Sequence, residues 1–219
     1  MRRILSVFAI CYLALTGAAS AATIVSAVSA TATDDVGNTI GRTIDQSGLN
    51  VNYISGVTDF DAYMALNPIH SLIFVGNEWF TNSNVVSATL VFDLGSVMAI
   101  DRLALWNEDA AGFGFGRVST SVDGSNYSFL TNITPTDNPL NVDYGAEVFG
   151  FGVTAARYFQ IEVRDCPQPD PNGNIYTGCA MGEIAFSAVN VIPVPAAGLL
   201  VLTGIAALGL ARRRKNKIS

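Results

Sequence analysis

Leu90-Val91-Phe92-Asp93-Leu94-Gly95, followed shortly by Ile100-Asp101-Arg102-Leu103-Ala104-Leu105-Trp106, decides the fold class. The first stretch reads as a short strand that ends at a turn glycine. The second alternates with a period of two after Ile100, the signature of a strand and not of a helix. Further along the chain, residues 117–122 alternate again, Asp123-Gly124 is a turn signal, and Tyr127-Ser128-Phe129-Leu130 continues beyond it, which predicts a hairpin. Residues 147–153, 157–163 and 181–188 read as strands, and in the other direction residues 23–33 alternate loosely. Only residues 59–66 predict a short helix, with Asn67-Pro68 to stop it. Short strands separated by turn signals, with no fixed repeat, predict an all-β antiparallel β-sandwich.

The two ends read differently from this middle. Arg2 and Arg3 precede an apolar run over 4–15 broken only by Ser6, and Ala19-Ser20-Ala21 fits the small-x-small rule for cleavage. Residues 1–21 are therefore expected to be a signal peptide removed by signal peptidase, too short to span a bilayer. Cys11 follows Ile10 inside the apolar run, so no lipid is expected on it. At the other end, Pro193-Val194-Pro195-Ala196-Ala197 opens an apolar stretch that reaches Ala211, and Arg212, Arg213, Arg214, Lys215 and Lys217 follow. A helix over 196–211 would be ~24 Å long, a marginal span against a ~30 Å hydrocarbon core, with its basic end kept in the cytoplasm. Residues 189–219 resemble the VPLPA-type and PEP-type C-terminal sorting signals of Gram-negative bacteria. The PEP tripeptide is absent, so the VPLPA variant is the nearer match. The resemblance implies that the transmembrane helix holds the protein in the inner membrane until an exosortase-type enzyme processes it. The product is then displayed at the cell surface or released outside the cell. A plain single-span anchor is the alternative.

Between these ends, residues 22–188 carry five basic and 18 acidic residues, a net charge of −13. That balance excludes nucleic acid, whose recognition rests on Lys and Arg at phosphates, and anionic lipid surfaces. It suits solubility outside the cell, cations or neutral ligands. The length suffices for one core and not for two comfortable domains. Cys166 and Cys179 are expected to pair in an oxidising compartment, and no second Cys or His pair makes a zinc pattern with them.

Five blocks stand in one order: residues 90–95; 100–107; Val118-Ser119-Thr120-Ser121-Val122-Asp123-Gly124-Ser125-Asn126-Tyr127; Ala156-Arg157-Tyr158-Phe159-Gln160-Ile161-Glu162-Val163; and Gly182-Glu183-Ile184-Ala185-Phe186. This order resembles the discoidin-like (coagulation factor 5/8 C-domain) family, over about residues 23–188. The resemblance implies a galactose-binding-like jelly roll. It departs in the N-terminal third, where Asp45-Gln46-Ser47-Gly48-Leu49 stands in place of an Asp-Gly-rich block leading to Thr-x-Trp. Members of such families often hold a structural Ca²⁺ through an early Asp-rich loop and a Glu entering the last strand. Asp45 and Glu183 match those positions, and hard oxygen donors suit Ca²⁺.

Enzymatic signatures are scarce. The chain has one histidine, His70, with neither a His-Glu-x-x-His nor a Gly-x-Ser-x-Gly motif. Gly112-Phe113-Gly114-Phe115-Gly116 leads into a strand, whereas a phosphate loop needs a helix N-terminus. Glu108 and Asp109 are adjacent, and neighbours in a strand point to opposite faces. A glycosidase pair must instead face each other ~5–9 Å apart. A ligand surface would sit in loops at one end of the sandwich. Asn107, Glu108, Asp109, Phe113 and Phe115 form one candidate, with polar groups for sugar hydroxyls and rings for a sugar face, and Trp79 is another. The alternative is that these aromatics are core residues beside glycine bends. The expected function is a non-catalytic, exported carbohydrate-binding or adhesion module, with extracellular polysaccharide as its partner. A self-associating exopolysaccharide or biofilm matrix protein and a glycan-active enzyme with an unrecognised site are the alternatives.

Overall fold

The computed structural model describes residues 21–73, 76–169 and 176–189. The export signal, the Pro193/Pro195 segment, the apolar helix and the Arg212–Arg214 cluster expected from the sequence lie outside the described residues. Among the described residues no helix is long and apolar enough to cross a membrane.

The chain forms an antiparallel β-sandwich built around two long strands, β5 (Ser87–Asn107) and β9 (Glu147–Arg164). They pair along both halves, from Ser87↔Arg164 to Asp93↔Tyr158 and again from Met98↔Ala156 to Leu105↔Glu147. Between the halves the ladder is interrupted, and Gly95 there adopts φ +81°. Gly95 thus makes a bulge that bends one continuous strand, where the sequence reading had a strand end. The bend is held by Arg157, whose Nε and Nη2 donate to the two carboxylate oxygens of Asp93 at 2.8 and 2.9 Å.

Each half of the long pair belongs to one layer. In the first layer, β2 (Ser29–Ala32) pairs with the early part of β5, and β6 (Phe115–Ser121) pairs with the late part of β9 and with β7 (Ser128–Ile133). In the second layer, β10 (Ala180–Ala188) lies between the late part of β5 and β1 (Thr23–Val25), and β4 (Trp79–Phe80) pairs with its start. Phe92 and Phe159 of the first layer meet Phe186 of the second, with ring centroids 6.2 and 4.6 Å apart. Leu90, Leu103, Leu105, Val118, Ile161, Val163 and Ile184 complete this core.

The second layer is buried on both faces. Ala104, Trp106 and Ala185 point away from the sandwich core into a second cluster with Ile24, Tyr53, Phe60, Tyr63 and Tyr144. Residues 49–64 cover that face. They include the short helix α1 (Phe60–Met64), started by Asp59, whose carboxylate accepts from the Ala62 N–H at 2.7 Å. A small ladder of β3 (Ile69–His70) with β8 (Tyr144–Gly145) lies beside it. Cys166 and Cys179 form a disulfide that ties the end of β9 to the start of β10. The predicted hairpin is β6–β7, its turn closed by Asp123, which accepts from the Ser125 and Asn126 N–H groups.

Candidate functional site

The segment after β5 turns inward. Asn107 Nδ2 donates to Gln168 Oε1 at 2.6 Å, and its Oδ1 accepts from the Phe113 N–H at 3.2 Å. Glu108 Oε2 accepts from the Ala110 and Ala111 N–H groups at 2.8 and 2.5 Å. Asp109 accepts from the Ile73 and Asn141 N–H groups. A Cβ at Gly112 would lie 2.5 Å from the Glu108 carbonyl oxygen, so only glycine fits this turn. Asn107, Glu108, Asp109 and Phe113 are buried, as is Trp79, whose Nε1 donates to the Asp34 carbonyl. These side chains hold the loop together. Asn107 also borders a hollow of about 350 Å³ with Thr136, Asn138 and Glu147.

Beneath this loop lies a buried polar group that the sequence reading did not assemble. His70 Nδ1 is 3.9 Å from Glu78 Oε1, and the His70 ring stacks on Tyr144 with centroids 5.1 Å apart. Glu78, His70 Nε2, Glu108 Oε1 and the Tyr144 hydroxyl have buried atoms without hydrogen-bond partners. Burial disfavours charge. It pushes the Glu108 carboxyl up to about 9, helped by the neighbouring Asp109 carboxyl, and the Glu78 carboxyl up to about 7. The same burial lowers His70. No local motif links residues 70, 78, 108 and 144; strand pairing brings them together.

Asp45 and Glu183 are brought to one turn. Glu183, fully buried on β10, accepts from the Gln46 N–H at 2.9 Å through Oε2, while Oε1 has no partner. Asp45 accepts from the Ser47 N–H and pairs with Arg42. The buried Ser47 hydroxyl has no partner either. Burial holds the Glu183 carboxyl well above its usual range. Among the described residues no three His, Cys, Asp or Glu side chains form a ready metal cluster. The orphaned oxygens Glu183 Oε1 and Ser47 Oγ are nonetheless the hard donors that Ca²⁺ takes, together with backbone carbonyls.

A concave surface lies elsewhere, on the outer face of the first layer. It is an open groove of about 740 Å³. Strand alternation builds it, because Ala88, Leu90, Val118, Ile161 and Val163 face the core and their neighbours must face outward. Register sets the rows: Ser87, Arg164 and Phe115 align in one, and Thr89, Glu162, Arg117 and Asn132 in the next. The Arg164 guanidinium lies 4.0 Å over the Phe115 ring and that of Arg117 5.1 Å over Phe129. Phe129 is 54% exposed. Phe115 thus reaches the ligand-accessible surface from the sequence-selected loop, whereas Arg117, Phe129, Glu162 and Arg164 escaped the sequence reading.

No protein-family model and no curated protein matches the chain. Among solved structures it is similar to chitosan-binding module 1 of a chitosanase/glucanase from Paenibacillus sp. IK-5, with 18% identity and a TM-score of 0.47 over 74% of this chain and 95% of that one. It is also similar to the family 32 carbohydrate-binding module of Clostridium perfringens NanJ in complex with galactose, with 12% identity and a TM-score of 0.47 over 76% and 98% of the two chains. A third, a CBM32 module from C. perfringens in complex with GalNAc-β-1,3-galactose, shares 15% identity at a TM-score of 0.44, over 72% of this chain and 93% of that one.

Proposed function

We propose that this chain is a non-catalytic carbohydrate-binding module of the galactose-binding-like, discoidin-like kind. In this reading it is exported by the N-terminal signal and held in the inner membrane by its C-terminal helix until an exosortase-type enzyme acts on the tail. It is then displayed at, or released from, the surface of a Gram-negative bacterium, where it meets extracellular polysaccharide. The observation that carries the binding function is the open groove. Two aromatic rings line it beside Thr, Asn, Ser, Glu and Arg side chains, a mixture of apolar and polar groups that suits sugars. Of the ordered sequence blocks, those on β5, β6 and β9 fall on strands that line it, and the last falls on β10 in the other layer. Against hydrolysis stands the placement of Glu108 and Asp109, buried and occupied with backbone N–H groups. We further propose a structural Ca²⁺ at Glu183 and the Asp45–Ser47 turn. When bound, it would supply positive charge to a carboxylate that burial otherwise keeps protonated.

The test is affinity electrophoresis of the full chain, in a detergent without sugar headgroups, through gels containing soluble polysaccharides. Retardation by at least one polysaccharide is expected, with loss of about tenfold in affinity for Phe129→Ala, in line with a stacked ring worth ~1 kcal/mol or more. A chain that no polysaccharide slows is not a carbohydrate-binding module.

A further inference from the structure

We propose that the groove on the first layer binds acidic polysaccharide, with Arg164 as the residue that recognises a uronate carboxylate; this rests on the carbohydrate-binding reading. The residues between the expected signal and tail hold five arginines and no lysine. Four are neutralised: Arg42 by Asp45, Arg102 by Asp61 and Asp101, Arg157 by Asp93, and Arg117 by Glu162. Arg164 alone has no ion pair among the described residues. It is exposed, and Phe115 stacks on its guanidinium. Arg164 and Phe115 both line the groove, and a guanidinium held over a ring can still use its N–H edge. That fork matches a carboxylate with two parallel hydrogen bonds.

Among the described residues Arg164 is left without an ion pair in a domain that carries 18 acidic side chains. Its row neighbours reinforce the reading. Ser87 stands beside Arg164 across β5–β9, and Thr89 and Asn132 flank the Arg117–Glu162 pair in the adjacent row. These supply neutral donors and acceptors for hydroxyls on either side of the charged group. The four strands β5, β9, β6 and β7 give the groove a width of ~14 Å, three strand spacings, which admits more than one sugar unit in line. The net negative charge of the domain does not forbid this. Charges farther than ~10 Å from the contact are largely screened at ordinary ionic strength, and the groove itself carries two arginines against one glutamate.

The experiment is isothermal titration of the full chain with a galacturonic acid oligomer and with a neutral galactose oligomer of equal length. Arg164→Gln and the wild type are compared after melting curves show equal folding. The wild type is expected to prefer the uronate, and Arg164→Gln to lose about tenfold on the uronate while binding the neutral oligomer unchanged. Equal affinity for both oligomers in the wild type, or uronate binding untouched by Arg164→Gln, overturns the acidic-ligand assignment and leaves carbohydrate binding standing. Failure of both oligomers, together with failure of every polysaccharide in the gels, removes both.

Discussion

Glu108 is 1% exposed, and burial, with the Asp109 carboxyl beside it, raises its carboxyl so that it holds its proton. The consequence for stability has a definite sign. The unfolded chain releases this proton near the ordinary value of 4.5, whereas the folded chain holds it to about 9. Across that window the folded state binds more protons, so stability falls as pH rises. Glu78 adds to the fall between 4.5 and about 7. His70, lowered by burial, acts oppositely: the unfolded chain takes its proton below 6.5, so stability rises with pH up to that value. Urea midpoints measured from the mildly acidic range to pH about 9 should therefore decline through the upper half of the series, and Glu108→Gln should flatten the decline. An unchanged slope in Glu108→Gln means the carboxyl is ionised in the folded state. Glu108 was visible in the sequence as half of an acidic pair, but its environment was not. Asn107, Asp109 and Phe113 were selected for chemistry at a surface, and the fold sets them inside because the turn at Gly112 draws the loop back over β10.

Most elements could be read in advance because their signals are local. The helix forms within the expected 59–66 stretch but is shorter, Phe60–Met64, and the Asp123-Gly124 turn closes the hairpin it predicts. β5 and β9 were each read as two strands, since glycine or small residues punctuate them, and only the paired partner shows that the chain continues through a bend. The Cys166–Cys179 bridge belongs to this scale, because it joins two strand ends across a sequence separation of 13. Closing a loop of that size removes conformational freedom from the unfolded chain worth ~3 kcal/mol. Replacing both cysteines by alanine should lower the unfolding free energy by about that amount in denaturant titrations without reductant. Loss of well under 1 kcal/mol would mean that the segment is already restrained when unfolded.

At the scale of the molecule, the sandwich was legible and the groove was not. Alternation states which residues share a face of one strand, but the rows Ser87–Arg164–Phe115 and Thr89–Glu162–Arg117–Asn132 exist only once four distant segments are in register. The same holds for the turn at 45–47, which meets the last strand through Glu183. A cation there would link the first third of the chain to its final strand, so its effect is on the whole fold. Scanning calorimetry of the full chain should show the melting temperature rising as Ca²⁺ is added, since a ligand of the folded state alone stabilises it, and the rise should vanish in Glu183→Ala. A flat response in the wild type removes the cation from this turn. The pairing Thr23↔Ala188 places the first and last strands side by side, with their ends within ~5.5 Å. Topologically the domain is a closed ring with a nick. A few linking residues can seal that nick, and the chain can be reopened at the tip of the β6–β7 hairpin, with the same sheet order read from a new starting point.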